Sequence, residues 1–92
     1  MTLDDLYNII LERKAQTPEG SYVAGLFKKG TDRIAQKVGE EAVEVVIASK
    51  NNNRQEFVGE TADLWFHLLI LLASQGVTPQ DILEELEKRV KK

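Results

Sequence analysis

Residues 39–63, GEEAVEVVIASKNNNRQEFVGETAD, carry the reading that decides the fold. Asn51, Asn52 and Asn53 interrupt two segments with helical spacing. Acids stand at Glu40, Glu41 and Glu44 before the break and at Glu60 and Asp63 after it. If the two segments are helices folded back on each other around Asn52, residues whose numbers sum to about 104 face one another, so Glu44 is level with Glu60 and Glu41 with Asp63. The step from Glu40 to Glu44 is i, i+4 and that from Glu60 to Asp63 is i, i+3, so each set projects from one face of its helix. At a rise of roughly 1.5 Å per residue, both sets lie about 12 to 17 Å from the turn. Carboxylates crowded in this way repel one another unless a cation is present, which makes a hard divalent metal the simplest explanation. The pattern E-E-x-x-E alone is an ordinary solvated helix face. The cross-hairpin register lifts it above that, as does the setting of Glu44 in AVEVVIA and Asp63 in TADLWF, apolar surroundings that a merely solubilising charge avoids.

Outward from the hairpin, the spacing predicts an all-α chain of about four helices and one irregular stretch. Thr2 can cap a first helix, with Asp4 and Asp5 complementing its dipole and Leu3, Leu6, Tyr7, Ile10 and Leu11 on one stripe, ending near Ala15. Residues 16–30, QTPEGSYVAGLFKKG, hold three glycines and a proline and read as a long ordered loop, a place where function often sits. Thr31 and Asp32 can cap the second helix, which runs to about Lys50. The third runs from about Arg54 to Gln75 and stops at Gly76. The fourth opens on Thr78 and Pro79, and its basic end, KRVKK, suits the helix dipole. Residues 64–74, LWFHLLILLAS, are apolar nearly all round. A helix with no polar face must be covered on every side, and one small chain has too few other helices to do so. The expectation is therefore a bundle completed by homodimerisation, with Trp65, Phe66 and the leucines as core or interface. Gly39 and Gly59, each costing roughly 1 kcal/mol against alanine, precede the two acidic clusters at mirrored positions and suggest close approach of a neighbour or ligand.

At 92 residues the chain is one domain, 1–92, whose core is marginal as a single copy. With no cysteine, disulfides and thiolate zinc sites are excluded, and the site must be built from oxygen or imidazole. The N-terminus has acids where a signal peptide needs a basic start. The apolar run from residue 64 to 73 is broken by His67 and too short to span a bilayer, so no membrane partner is expected and the location expected is cytoplasmic. A net charge of −3 argues against nonspecific nucleic-acid binding. The positive charges are nevertheless uneven: Lys28, Lys29, Arg33 and Lys37 lie just upstream of the first acids. A carboxylate site with retained waters suits Mg²⁺, or Mn²⁺, and Mg²⁺ in turn favours phosphate oxygens, so the substrate expected is a nucleotide or polyphosphate whose remaining charge meets these bases. A glutamate not fully committed to the metal can serve as base for water attacking a phosphoanhydride. His67, one turn after Asp63, is read as a hydrogen-bonded core residue in preference to a ligand.

The stretches GSYVAGLFKKGTDRIAQKVGEEAVEVVIASK and GETADLWFHLLILLASQGV resemble the phosphoribosyl-ATP pyrophosphohydrolase family of the second step of histidine biosynthesis. The likeness extends from Leu6 to about Arg89. The discriminating part is SY-x-A-x-L-x-x-x-G ahead of KVGEEAxE, whereas the acidic pattern alone resembles the wider all-α nucleoside triphosphate pyrophosphohydrolases. The resemblance implies a helical homodimer, dependence on Mg²⁺, and hydrolysis of phosphoribosyl-ATP to phosphoribosyl-AMP and pyrophosphate. Glu40, Glu41, Glu44, Glu60 and Asp63 match the family's metal-binding acids. Lys37 and the Ser21-Tyr22 pair match its substrate-side positions, with Lys28, Lys29 and Arg33 beside them. Glu41, Glu44 and Lys37 are the candidates for catalytic work, and which carboxylate is the base is not assigned. Where the family often has threonine after Ser-Tyr, this chain has Val23. The cyclohydrolase fused to this domain in some organisms uses zinc-binding cysteines, so a cysteine-free chain of this length is expected to be the stand-alone form. Two other readings stay open: a pyrophosphohydrolase acting on other nucleoside triphosphates, and a non-enzymatic helical dimerisation module.

Overall fold

The computed structural model describes residues 1–16 and 19–91. Thr17, Pro18 and Lys92 lie outside the described residues, and with them part of the stretch read as a loop and the last residue of the basic end. Among the described residues five helices form, in the order α1 (Leu3–Gln16), α2 (Tyr22–Lys29), α3 (Thr31–Ala48), α4 (Arg54–Ser74) and α5 (Pro79–Val90). The all-α expectation holds, with one helix more than the spacing had suggested. The extra one is α2, inside the segment read as irregular. Its start is set by Ser21, whose hydroxyl oxygen accepts from the Ala24 amide at 3.1 Å, and its end by Gly30 at φ 100°. Buried Val23, Ala24 and Leu26 give the short segment an inward face, so packing overrides the glycine at its centre.

The remaining boundaries follow local chemistry. Thr2 and Asp5 close a reciprocal cap on α1, with Asp5 N–H to Thr2 Oγ1 at 3.0 Å and Thr2 N–H to Asp5 Oδ2 at 2.9 Å. Thr78 and Asp81 do the same for α5. Thr31 and Asp32 do not cap α3 as expected. Gly30 holds the cap position with no side-chain bond, and Thr31 is already the first helical residue, because α2 ends directly against α3. The three asparagines stop α3 as expected, two residues before Lys50, and each has a separate task. Asn52 takes φ 56°, Asn53 caps α4 by accepting from the Glu56 amide at 3.1 Å, and Asn51 donates to the Glu56 carboxylate at 2.9 Å.

α3 and α4 pack antiparallel in the most extensive contact of the molecule, and α1 and α2 lie across the end remote from the asparagine turn. The core there is small: Tyr7, Ile10, Val23, Leu26, Ile34, Leu69, Ile70 and Ala73. Tyr7 also reaches beyond it, donating to the Val77 carbonyl at 2.7 Å and so tying α1 to the turn before α5. By length and composition α4 would cross a bilayer, a test that core helices also pass. Its first half carries Arg54, Glu56, Glu60 and Asp63. The all-round apolar half of α4 is only partly covered: Leu69 and Ile70 are buried by the chain's own helices, while Trp65 and Leu68 remain exposed. Gly39 and Gly59 have open space where a Cβ would stand, so no described residue of the same chain approaches them closely.

Candidate active site

The antiparallel register of α3 and α4 brings Glu41, Glu60 and Asp63 together, one carboxylate oxygen from each lying within 4.8 Å of the others. This is the pairing of Glu41 with Asp63 that the numbering about Asn52 implies. Glu44 stands outside that trio yet near enough to act on it. The Glu60 carboxyl is held above its ordinary range, first by loss of solvent and then by Glu44, Asp63, Glu41 and Glu56 around it. The apolar setting expected for Glu44 and Asp63 is not formed within one chain, where both are exposed.

Glu40 is turned the other way. Its carboxylate takes Lys37 at 3.5 Å and the Gln36 amide at 3.4 Å from the turn before it on α3, and Arg33 at 4.0 Å from two turns before. Lys37 bridges the two groups, since its Nζ also lies 3.4 Å from Glu41. Partial burial works to lower the Lys37 pKa. The bond to Glu41 and the fields of Tyr22, Glu41 and Glu40 outweigh it, so the ammonium is held above its usual value and firmly charged. Among the described residues, the ion pairs to these acids come from Arg33 and Lys37. Lys28 and Lys29 lie in the last turn of α2, where they suit its dipole. Lys28 also borders an open cavity of about 770 Å³ shared with Glu19, Ser21 and Phe27.

Ser21 and Tyr22, at the start of α2, take different positions. Ser21 spends its oxygen on the helix cap. Tyr22 is half exposed and its hydroxyl lies 2.7 Å from His67 Nε2, while His67 Nδ1 lies 2.7 Å from the Asp63 carbonyl oxygen. His67 is therefore the buried, hydrogen-bonded residue expected. Its bond to Tyr22, forty-five positions away, has no signal in the spacing of either helix. Val23 points into the core, so the hydroxyl that a threonine would carry here is absent from a buried position. Thr61 Oγ1, on α4 between Glu60 and Asp63, is buried and without a partner in the described structure.

The donor set can be tested against a divalent ion. An oxygen-only trio of carboxylates, one with a pKa raised by loss of solvent and then by its acidic neighbours, is the ligand chemistry of a hard cation. One oxygen from each of the three lies within 4.8 Å of the others, so the trio is close enough to share one such cation.

The chain matches the family Phosphoribosyl-ATP pyrophosphohydrolase over residues 3–90. It is 52% identical over 89 residues to a phosphoribosyl-ATP pyrophosphatase of Saccharolobus solfataricus, spanning 97% of this chain and 95% of the relative. It is 53% identical over 88 residues to that of Pelotomaculum thermopropionicum, spanning 96% and 90%. A third relative of the same name, from Sulfolobus acidocaldarius, is 52% identical over 90 residues, spanning 98% and 95%. With nearly full-length likeness and the acids facing each other across the hairpin, this chain belongs to the phosphoribosyl-ATP pyrophosphohydrolase family.

Proposed function

We propose that this chain hydrolyses phosphoribosyl-ATP to phosphoribosyl-AMP and pyrophosphate in histidine biosynthesis, with Glu41, Glu60 and Asp63 holding a Mg²⁺ ion. The observation that carries the reading is the convergence of those three carboxylates beside a charged Lys37 in a chain of this family. When bound, the ion supplies positive charge to the phosphoryl oxygens and to the departing pyrophosphate. Lys37, set between Glu40 and Glu41, offers its ammonium to phosphate charge that the ion leaves uncovered, and Arg33 lies behind it on the same face of α3. Glu44, next to the trio but outside it, is the carboxylate best placed to take the proton of the attacking water. The water oxygen bonds to the α-phosphorus, the bond from that phosphorus to the bridging oxygen breaks, and pyrophosphate leaves with the bridging oxygen. Ser21 and Tyr22, with Lys28 and Lys29 at the far end of α2, form the side that meets the nucleoside.

A second copy of the chain completes the unit in this reading. The surface of 6623 Å² exceeds by roughly 1,200 Å² the area of about 5,400 Å² usual for a self-contained chain of this mass. The radius of gyration, 14.4 Å, likewise exceeds the roughly 12 Å of a compact domain of this length. Trp65, Leu68, Ile82, Leu83 and Leu86 share one open apolar groove that supports such an interface. We place the protein in the cytoplasm, where its nucleotide substrate is made. The test is to incubate purified protein with phosphoribosyl-ATP and Mg²⁺ and to separate the products. Phosphoribosyl-AMP and pyrophosphate in equal amounts, abolished by EDTA and restored by Mg²⁺, are expected. Intact substrate under the same conditions would overturn the reading.

A further inference from the structure

The hydrogen bonds of His67 have a direction that follows from elementary donor and acceptor rules. The Asp63 carbonyl oxygen can only accept, so His67 Nδ1, 2.7 Å away, must donate to it. When that is the ring's one proton, Nε2 presents a lone pair, and the Tyr22 hydroxyl at 2.7 Å donates to that nitrogen. The opposite tautomer would set two lone pairs against each other at the Asp63 carbonyl. Ring reversal is also blocked: the imidazole is 5% exposed and held edge to face by Phe66 and by Tyr22, each with centroids 5.6 Å away. A phenol has a single proton, and here it is committed to His67. The rest of the Tyr22 oxygen can only accept, the residue is 53% exposed, and its hydroxyl is near enough to Lys37 to act on that ammonium.

We propose that His67 is a positioning residue that consumes the Tyr22 proton, so that the Tyr22 oxygen accepts a hydrogen bond from a sugar hydroxyl of the substrate. The proposal rests on the function given above and adds a division of labour to it. Phosphoryl oxygens are acceptors and gain nothing from an oxygen without a free proton, so phosphate goes to Lys37 and the carboxylate-held cation. In the function given above the three N–H donors of Lys37 go to Glu40, Glu41 and phosphate, so the donor to Tyr22 comes from the substrate, whose sugar carries hydroxyls. The bond to the Asp63 carbonyl ties this reader to the same turn of α4 that supplies a carboxylate to the trio.

Two-bond proton–nitrogen correlation spectra of the ¹⁵N-labelled protein test the tautomer directly. Protonated Nδ1 and bare Nε2 are expected, and a proton on Nε2 overturns the proposal without touching the assigned reaction. In kinetics, Tyr22→Phe and His67→Phe should each raise KM for phosphoribosyl-ATP about tenfold, the worth of one such bond, with the loss carried in KM rather than kcat. The double variant should lose no more than either single, because both remove the same contact. His67→Gln, which keeps an acceptor oxygen, should recover part of the loss. Additive losses, a loss confined to kcat, or an unchanged KM in Tyr22→Phe would overturn it, the last even if His67→Phe fails to fold. Absence of turnover by the unmodified protein would sink the assigned reaction and this proposal together.

Discussion

At one end of the molecule, α1, α2 and the second half of α4 enclose Ile10, Ile34 and Ile70 completely, while along the hairpin Val43, Val46, Ile47 and Val58 are each more than half exposed. The two regions share α3 and α4, so the contrast is not one of helix-forming tendency. It lies in what covers the helices. Helices α1 and α2 are short and reach only the end of the hairpin remote from the asparagine turn, and α5 packs mainly on α1. The closed end behaves as a core in one chain, whereas the hairpin carries its apolar residues outward. The carboxylate trio sits where one region gives way to the other, on a rigid helical pair but with one side open.

The comparison breaks most severely at the acids. Asp63→Asn and Glu44→Gln should each lower kcat by about a thousandfold, the first by loss of charge stabilisation at the phosphoryl group and the second by loss of the base, with the helical circular dichroism unchanged. Full activity of either variant under limiting Mg²⁺ would remove its assigned role. At the closed end, Ile70→Ala should cost about 4 kcal/mol in denaturant unfolding, since the side chain is fully enclosed and its loss leaves a cavity. At the open end, Trp65→Ala separates the two views of the hairpin. In a lone chain the half-exposed indole matters little, but across a second copy its loss should weaken association by about 2 kcal/mol or more, seen as dissociation on dilution in sedimentation.

The smallest effect concerns charge in the absence of metal. A carboxyl whose folded pKa is raised holds its proton more tightly when folded, so its contribution is present below the ordinary value of 4.5 and lost as pH rises through the raised one. In EDTA, Glu60→Gln should therefore melt at the same temperature as the unmodified protein or slightly above it at pH 7. That difference should shrink as pH falls below 4.5. A lower melting temperature at pH 7 would show that Glu60 is held by favourable partners instead.

Much of this was legible in the sequence because helical periodicity and the break at Asn51 to Asn53 set the register of α3 against α4. Glu41 opposite Asp63 follows from that register alone. The periodicity of α2 was hidden by its central Gly25, by the glycines that flank it at 20 and 30 and by its length of eight residues, and burial of Val23, Ala24 and Leu26 against other helices makes it a helix. The resemblance places Glu40 among the metal acids, but the residue faces Arg33, Gln36 and Lys37, because its i−3 and i−4 neighbours are closer than the opposing helix. The link from Tyr22 to His67 depends on how α2 is laid across α4, a tertiary fact that no spacing encodes. The open apolar face was legible in residues 64–74, apolar nearly all round, but what covers it is not part of the chain's own pattern.

The most direct measurement of the central claim is hydrolysis in ¹⁸O-labelled water, with phosphoribosyl-ATP and ATP offered separately to the same preparation. Attack at the α-phosphorus by water activated within the carboxylate site places the label in phosphoribosyl-AMP and leaves the released pyrophosphate unlabelled, with phosphoribosyl-ATP strongly preferred over ATP. Label in pyrophosphate, or ATP cleaved as efficiently as phosphoribosyl-ATP, would contradict the account.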